Sequence, residues 1–234
     1  MKNLKKTMII SFIIILSFLL ILVLPVWNIK NINIEGNKYY IDDDIKIILG
    51  LDKPTHILTL SQSDVENSKK ILPFIKEIHL DKVLPDTINL NIVERTPLGY
   101  IPFSGGYIIL DEEGYVLAHH EQKIEKLPII EGIKINKFLV GEKLVPVEDE
   151  EFIVLKEILS ILNKYNLQEE VTTINVSDTE QIHLYINSLD VIIGDIKEFE
   201  QKIRWLIGIY DTYTIGVLDL SMIENGSAVL KPLE

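Results

Sequence analysis

The residues of this sequence that come nearest to chemistry are an adjacent pair, His119 and His120, and two carboxylate runs, Asp42 to Asp44 and Glu148 to Glu151. Zinc takes three or four ligands converging on one point, and neighbouring histidines on a strand point to opposite sides. The three aspartates lack the alternating ligands and the glycine of a calcium loop. Both acidic runs stand where a helix begins, and negative charge is favourable against the unpaired N–H groups of a first helical turn. There is no cysteine, and no G-x-S-x-G, S-x-x-K, H-E-x-x-H or phosphate-cradling glycine loop occurs. These observations assign no catalytic, cofactor-binding or metal residues, and they point to a protein that is not an enzyme and takes no small-molecule substrate.

The elements that would carry other kinds of function are legible as periodicities. "IKNINIEGN" alternates at Ile32 and Ile34 and ends in a Gly-Asn turn, as a half-buried strand does. Ile41, Ile45, Ile48 and Leu49 share a helical face that stops at Gly50. Ser63 and Glu66 have the spacing of a capping box for a second helix, closed by Pro73. Ile78 and Leu80 mark a second strand. "TINLNIVE" supplies a third, with Ile88, Leu90 and Ile92 facing inward, reached through the Leu84-Pro85-Asp86 turn. One core is expected from Ile32, Ile34, Ile45, Leu49, Leu72, Ile78, Leu80, Leu90 and Ile92. Glu94 and Arg95, with Pro97, read as a solvated strand end at a domain boundary.

From Leu98 the pattern is mainly strand. "YIILDEEGYVL" is a hairpin turning at Asp111 to Gly114, and "LPIIEG" is a short extended piece. A helix over about 148–165 places Phe152, Leu155, Leu159 and Leu162 on one face. "VTTINVS", "QIHLYIN" and "LDVIIG" read as strands. A further helix from about Asp195 buries Ile196, Phe199, Ile203, Leu206 and Tyr210 and exposes the pairs Glu198 with Lys202 and Glu200 with Arg204. "TIGVLDLSM" and "SAVLK" close the chain around an Asn225-Gly226 turn. The last of these, Ser227, Ala228, Val229, Leu230 and Lys231, is the candidate partner-binding strand. If it lies at a sheet edge, its unpaired backbone groups are a template for an added strand.

The first residues set the expected location. Met8 to Trp27 carries no charge, and about 20 helical residues match the roughly 30 Å of a bilayer core. The run exceeds a signal-peptide core and lacks a small-residue cleavage pattern, so retention as a transmembrane helix is expected. Lys2, Lys5 and Lys6 orient the N-terminus to the cytoplasm. The remainder has 20 basic and 35 acidic residues, a formal charge of −15, which repels nucleic acid and favours protein partners. The expected organisation is a cytoplasmic stub over 1–7, a transmembrane helix over 8–27, and extracytoplasmic domains over 28–97 and 98–234.

The order "INIEGNKYY", two helices, "LPDTINLNIVERTPLGYI", "YIILDEEGYVL", "LPIIEG", "LDVIIGDIKEFEQKIRWL" and "VLDLSM" resembles the FtsQ/DivIB family of bacterial cell-division proteins. The family often has a basic residue after the Asp-Leu pair, where Ser221 stands here. The resemblance implies an α+β chain: a transmembrane helix, a POTRA domain of order β-α-α-β-β, and a mainly antiparallel β domain with two helices. It implies a non-enzymatic, bitopic, single-pass scaffold of the divisome at the division septum. Such a scaffold binds small bitopic division proteins of the FtsB/DivIC and FtsL kinds and helps regulate septal peptidoglycan synthesis. A membrane-anchored wall hydrolase and a POTRA-containing transport component are the alternatives from other functional classes.

Overall fold

The computed structural model describes residues 2–22, 24–124, 126–210, 212–223 and 228–231. It separates into two compact units, Met1–Glu94 and Arg95–Glu234.

The first helix corrects the expected membrane span. Helix α1 covers Lys2–Leu22, and Pro25–Trp27 forms a separate 3₁₀ turn, so residues 8–27 are not one helix. Proline fixes its own φ and lacks the N–H that would continue the helical ladder. The apolar helical part, Met8 to Leu22, is about 15 residues, or about 22 Å at the helical rise, against roughly 30 Å of hydrocarbon. Among the described residues no helix is long and apolar enough to cross a membrane. The transmembrane helix over 8–27 therefore fails, as do the bitopic, single-pass topology and the membrane location built on it.

The POTRA and β-domain folds are present. In the first unit, strand β1 (Asn31–Glu35) is followed by α2 (Asp42–Ile48), α3 (Gln62–Ser68), β2 (Ile75–Val83) and β3 (Thr87–Glu94). The strands lie in the order β1-β3-β2, with β1 parallel and β2 antiparallel to β3. All nine residues expected in the core fall in one cluster. Three acidic residues, Asp42, Asp43 and Asp44, occupy the first turn of α2. The capping box stands two residues earlier than expected: Ser61 is the N-cap, its hydroxyl accepts from the Asp64 N–H, and the Asp64 carboxylate accepts from the Ser61 N–H at 2.9 Å. Glu66 is thereby free of any capping duty.

In the second unit a nine-stranded sheet runs in the order β12-β11-β10-β9-β8-β7-β4-β5-β6. Its strands are β4 (Gly99–Phe103), β5 (Gly106–Leu110), β6 (Val116–His120), β7 (Ile129–Glu131), β8 (Val171–Asn175), β9 (Ile182–Ile186), β10 (Ser188–Gly194), β11 (Ile215–Asp219) and β12 (Val229–Lys231). Helices α4 (Asp149–Lys164) and α5 (Phe199–Ile207) share one core with it, through Leu155, Ile158 and Leu162 of the first and Phe199, Ile203 and Leu206 of the second.

Two charged residues depart from the sequence reading. Arg95 is not a solvated strand end. Its side chain is 10% exposed, pairs with Asp111 at 2.6 Å and Glu113 at 3.2 Å, and lies 3.6 Å from the Tyr115 ring centroid. Burial alone would lower its affinity for the proton, but hydrogen bonds and charge from Asp111 and Glu113 more than reverse this. Its neighbour Glu94 instead accepts from the Tyr39 N–H in the first unit at 3.1 Å. Lys202 does not pair with Glu198 on the helix surface. It is 1% exposed and its ammonium donates to the Asp195 carbonyl at 2.9 Å and carboxylate at 3.3 Å, because α5 begins at Phe199 and folds the Asp195 turn back over it. The Glu200–Arg204 pair forms as expected, at 2.6 Å.

Candidate functional site

Strand β12 stands at one end of the nine-stranded sheet, with β11 as its one neighbour among the described residues. The pair is antiparallel, Val217 opposite Lys231, Leu218 opposite Leu230 and Asp219 opposite Val229. Which backbone groups this pairing leaves over follows from the strand on the other side. The Leu220 N–H donates to the Ile192 carbonyl of β10 at 2.8 Å. Backbone groups of alternate residues in a strand point to opposite neighbours. Leu218 and Leu220 thus face β10, and Val217 and Asp219 face β12. Val229 and Lys231 spend their N–H and C=O groups on β11, while those of Leu230 point outward, as do those of Ala228 when the same alternation is carried one residue back. Among the described residues no hydrogen bond reaches them.

The side chains divide the other way. Ala228 and Leu230 pack against the main core, while Val229, 49% exposed, and Lys231 face solvent. Of the candidate residues, Val229 to Lys231 form β12 and Ala228 directly precedes it. Ser227 and the Asn225-Gly226 turn lie outside the described residues.

The end of β11 is held by Asp219, whose carboxylate accepts from the Ser221 N–H at 2.9 Å and hydroxyl at 2.6 Å. Ser221 packs against Gly194 of β10, which has φ +71° and no room for a side chain: an added Cβ would stand 2.8 Å from the Ser221 Cβ. In this chain the position after the Asp-Leu pair therefore closes a turn.

The residues that looked nearest to chemistry do not converge. His119 sits 5.3 Å from the Phe138 ring, centroid to centroid, with a ring nitrogen 3.4 Å from the Phe103 carbonyl. Among the described residues no three His, Cys, Asp or Glu side chains are grouped to hold a metal ion. Glu200 is held down to about 2 by hydrogen bonds from the Tyr165 hydroxyl, Arg204 and Lys164. That cluster joins the end of α4 to α5 at the surface.

Sequence reading missed two arrangements, the Arg95 pair and a row of side chains from α3 and the turn that follows it, along β2. The first left no local signal, because its partners are 16 and 18 residues away. The second had one, the spacing of Gln62, Glu66 and Lys69 on a single helical stripe.

Residues 27–95 match the POTRA domain of FtsQ type, and residues 99–221 match the family described as Cell division protein FtsQ/DivIB, C-terminal. The chain is 28% identical over 181 residues to the cell division protein DivIB of Clostridium tetani, covering 77% of this chain and 68% of that one. It is 26% identical over 212 residues to DivIB of Clostridium acetobutylicum, covering 88% and 84%. It is 26% identical over 182 residues to DivIB of Staphylococcus aureus, covering 77% of this chain but 39% of that longer protein. With the C-terminal match alone spanning more than half of its length, the chain belongs to the FtsQ/DivIB family of cell division proteins.

Proposed function

We propose that this protein is a non-enzymatic scaffold of bacterial cell division that captures a partner by strand addition on β12. The observation that carries this reading is the outward direction of the Leu230 and Ala228 backbone groups at a sheet end. Backbone pairing there supplies affinity, and the alternating Val229 and Lys231 side chains supply selectivity. The partners proposed are small division proteins of the FtsB/DivIC and FtsL kinds, through which the scaffold takes part in septum formation and the regulation of septal peptidoglycan synthesis.

The test is binding of the full chain to a purified FtsB/DivIC-type ectodomain, with circular dichroism as the folding control. Ala228→Pro removes an outward N–H and is expected to lower affinity at least tenfold while the fold persists, since edge positions tolerate proline. Undiminished binding by the folded variant would remove this edge from the mechanism.

A further inference from the structure

The outer edge of β2 is occupied by the protein's own side chains. Ile78 and Leu80 point their backbone groups away from β3, because the alternate residues His79 and Asp81 face Asn91 and Asn89 across that ladder. The Gln62 side-chain amide donates to the Ile78 carbonyl and accepts from the Leu80 N–H at 2.9 Å. A primary amide carries the same donor and acceptor as a peptide group, so Gln62 stands where a peptide of an incoming strand would stand. One turn on, the Glu66 carboxylate is held by Gln62 at 3.3 Å and by Lys69, and Lys69 first and then the nearby Ile78 N–H keep it below the ordinary carboxylate range. Lys69 donates to the Lys76 carbonyl at 2.9 Å. Three side chains spaced four and three residues apart thus cover the outward groups from the Lys76 carbonyl to the Leu80 N–H.

We propose that Gln62, Glu66 and Lys69 form a guard that closes β2 against pairing with a second copy of this chain. Unpaired edges recruit other strands unless they are short, charged or covered. With nine residues, β2 is the longest strand among the described residues, long enough to be a hazard on its own. Its charges, Lys76, Glu77, Asp81 and Lys82, sum to zero in a chain of net charge −12, so repulsion does not keep two copies apart at this strand. Two identical edges pair antiparallel about a two-fold axis, the commonest symmetry of self-association. The guard leaves strand-mediated contact to other edges.

The experiment uses the full chain, amide hydrogen exchange and sedimentation velocity. Gln62→Ala is expected to speed exchange of the Leu80 amide at least tenfold and leave Ile78 protected. Glu66→Ala is expected to do the reverse, and in both variants the His79 and Asp81 amides keep the protection that β3 provides. The double variant is expected to self-associate with rising concentration where the parent does not. Val65→Ala, which loosens the buried side of the same helix, is expected to remain monomeric. The proposal is overturned if the single variants leave both amides unchanged, or if all four amides loosen together. It is also overturned if the folded double variant stays monomeric, or if Val65→Ala associates as readily. Should the double variant fail to fold, the reciprocal exchange pattern of the single variants decides.

Discussion

The two ends of the nine-stranded sheet are built differently. At the β6 end the Val116 N–H donates to the Glu142 carbonyl at 2.9 Å, and the Gly141 N–H donates to the Val116 carbonyl at 2.8 Å. A register shift between Ile109 and Leu110 interrupts the pairing of β6 with β5, and such bulges twist an edge away from pairing. At the β12 end the strand is three residues long, and nothing among the described residues pairs with its outer side. In the first unit β2 is covered by α3 side chains. A sheet end can accept an added strand only where the chain has left its backbone groups uncovered, and at β12 both Leu230 backbone groups point outward.

The largest expected effect comes from loosening the closed end. Arg95→Ala leaves Asp111, whose side chain is 4% exposed, without its cation beside the β5–β6 turn. Breaking a buried pair costs about 3 kcal/mol. Urea unfolding of the full chain is expected to show that loss, with β12 binding retained by the molecules that remain folded. If Arg95→Ala abolished binding without loss of stability, the two ends would not be independent.

A smaller loss is expected from uncovering Val116 directly. Gly141 has φ +87°, which proline cannot adopt, and Gly141→Pro also deletes the donor to the Val116 carbonyl. Strain and the lost bond together cost about 2 kcal/mol. The check is amide exchange at Val116, which is expected to rise while β12 is unaffected.

At the open end the sign of the effect depends on which way a single N–H points. Val229→Pro removes an inward donor and is expected to destabilise the β11–β12 pairing by about 1 kcal/mol, whereas Ala228→Pro should cost less in stability and more in binding. Thermal unfolding and partner titration of the two variants side by side separate them. Equal stability losses would show that the assignment of inward and outward groups is wrong.

The smallest effect serves as a control lying in neither edge strand. Glu200 is depressed to about 2 from an ordinary value near 4.5. A depressed carboxylate contributes stability that is present above its unfolded value and lost as pH falls through its folded one. The Tyr165–Glu200–Arg204 cluster is exposed, so its contribution is small. The acid midpoint of Glu200→Gln is expected to shift slightly between about pH 4.5 and 2, with partner binding at neutral pH unchanged.

Much of this architecture can be read from local pattern. Alternation at Ile88, Leu90 and Ile92 or at Val191 and Ile193, and helical stripes such as Leu155, Leu159 and Leu162, arise because burial depends on the period of the backbone that carries the side chain. The candidate strand was legible on the same ground, since Ala228 and Leu230 alternate with Val229 and Lys231. Capping was legible in kind but misplaced, because Ser61–Asp64 and Ser63–Glu66 offer the same chemistry two residues apart. The stop of the first helix at Leu22, before the Pro25–Trp27 turn, has no signature in apolarity alone, which does not report where the chain bends.

What pattern could not supply was the pairing of distant charges and the order of strands. The spacing of Glu198 and Lys202 suits a surface ion pair, yet burial took the lysine to Asp195, since an ammonium enclosed in a core must be satisfied by whatever acceptor the fold brings there. Arg95 found Asp111 for the same reason. Whether β12 ends a sheet or lies within one depends on which of nine strands become neighbours, a matter of non-local packing. A strand's own residues are the same in either position, so only the folded sheet distinguishes a free edge from a paired one.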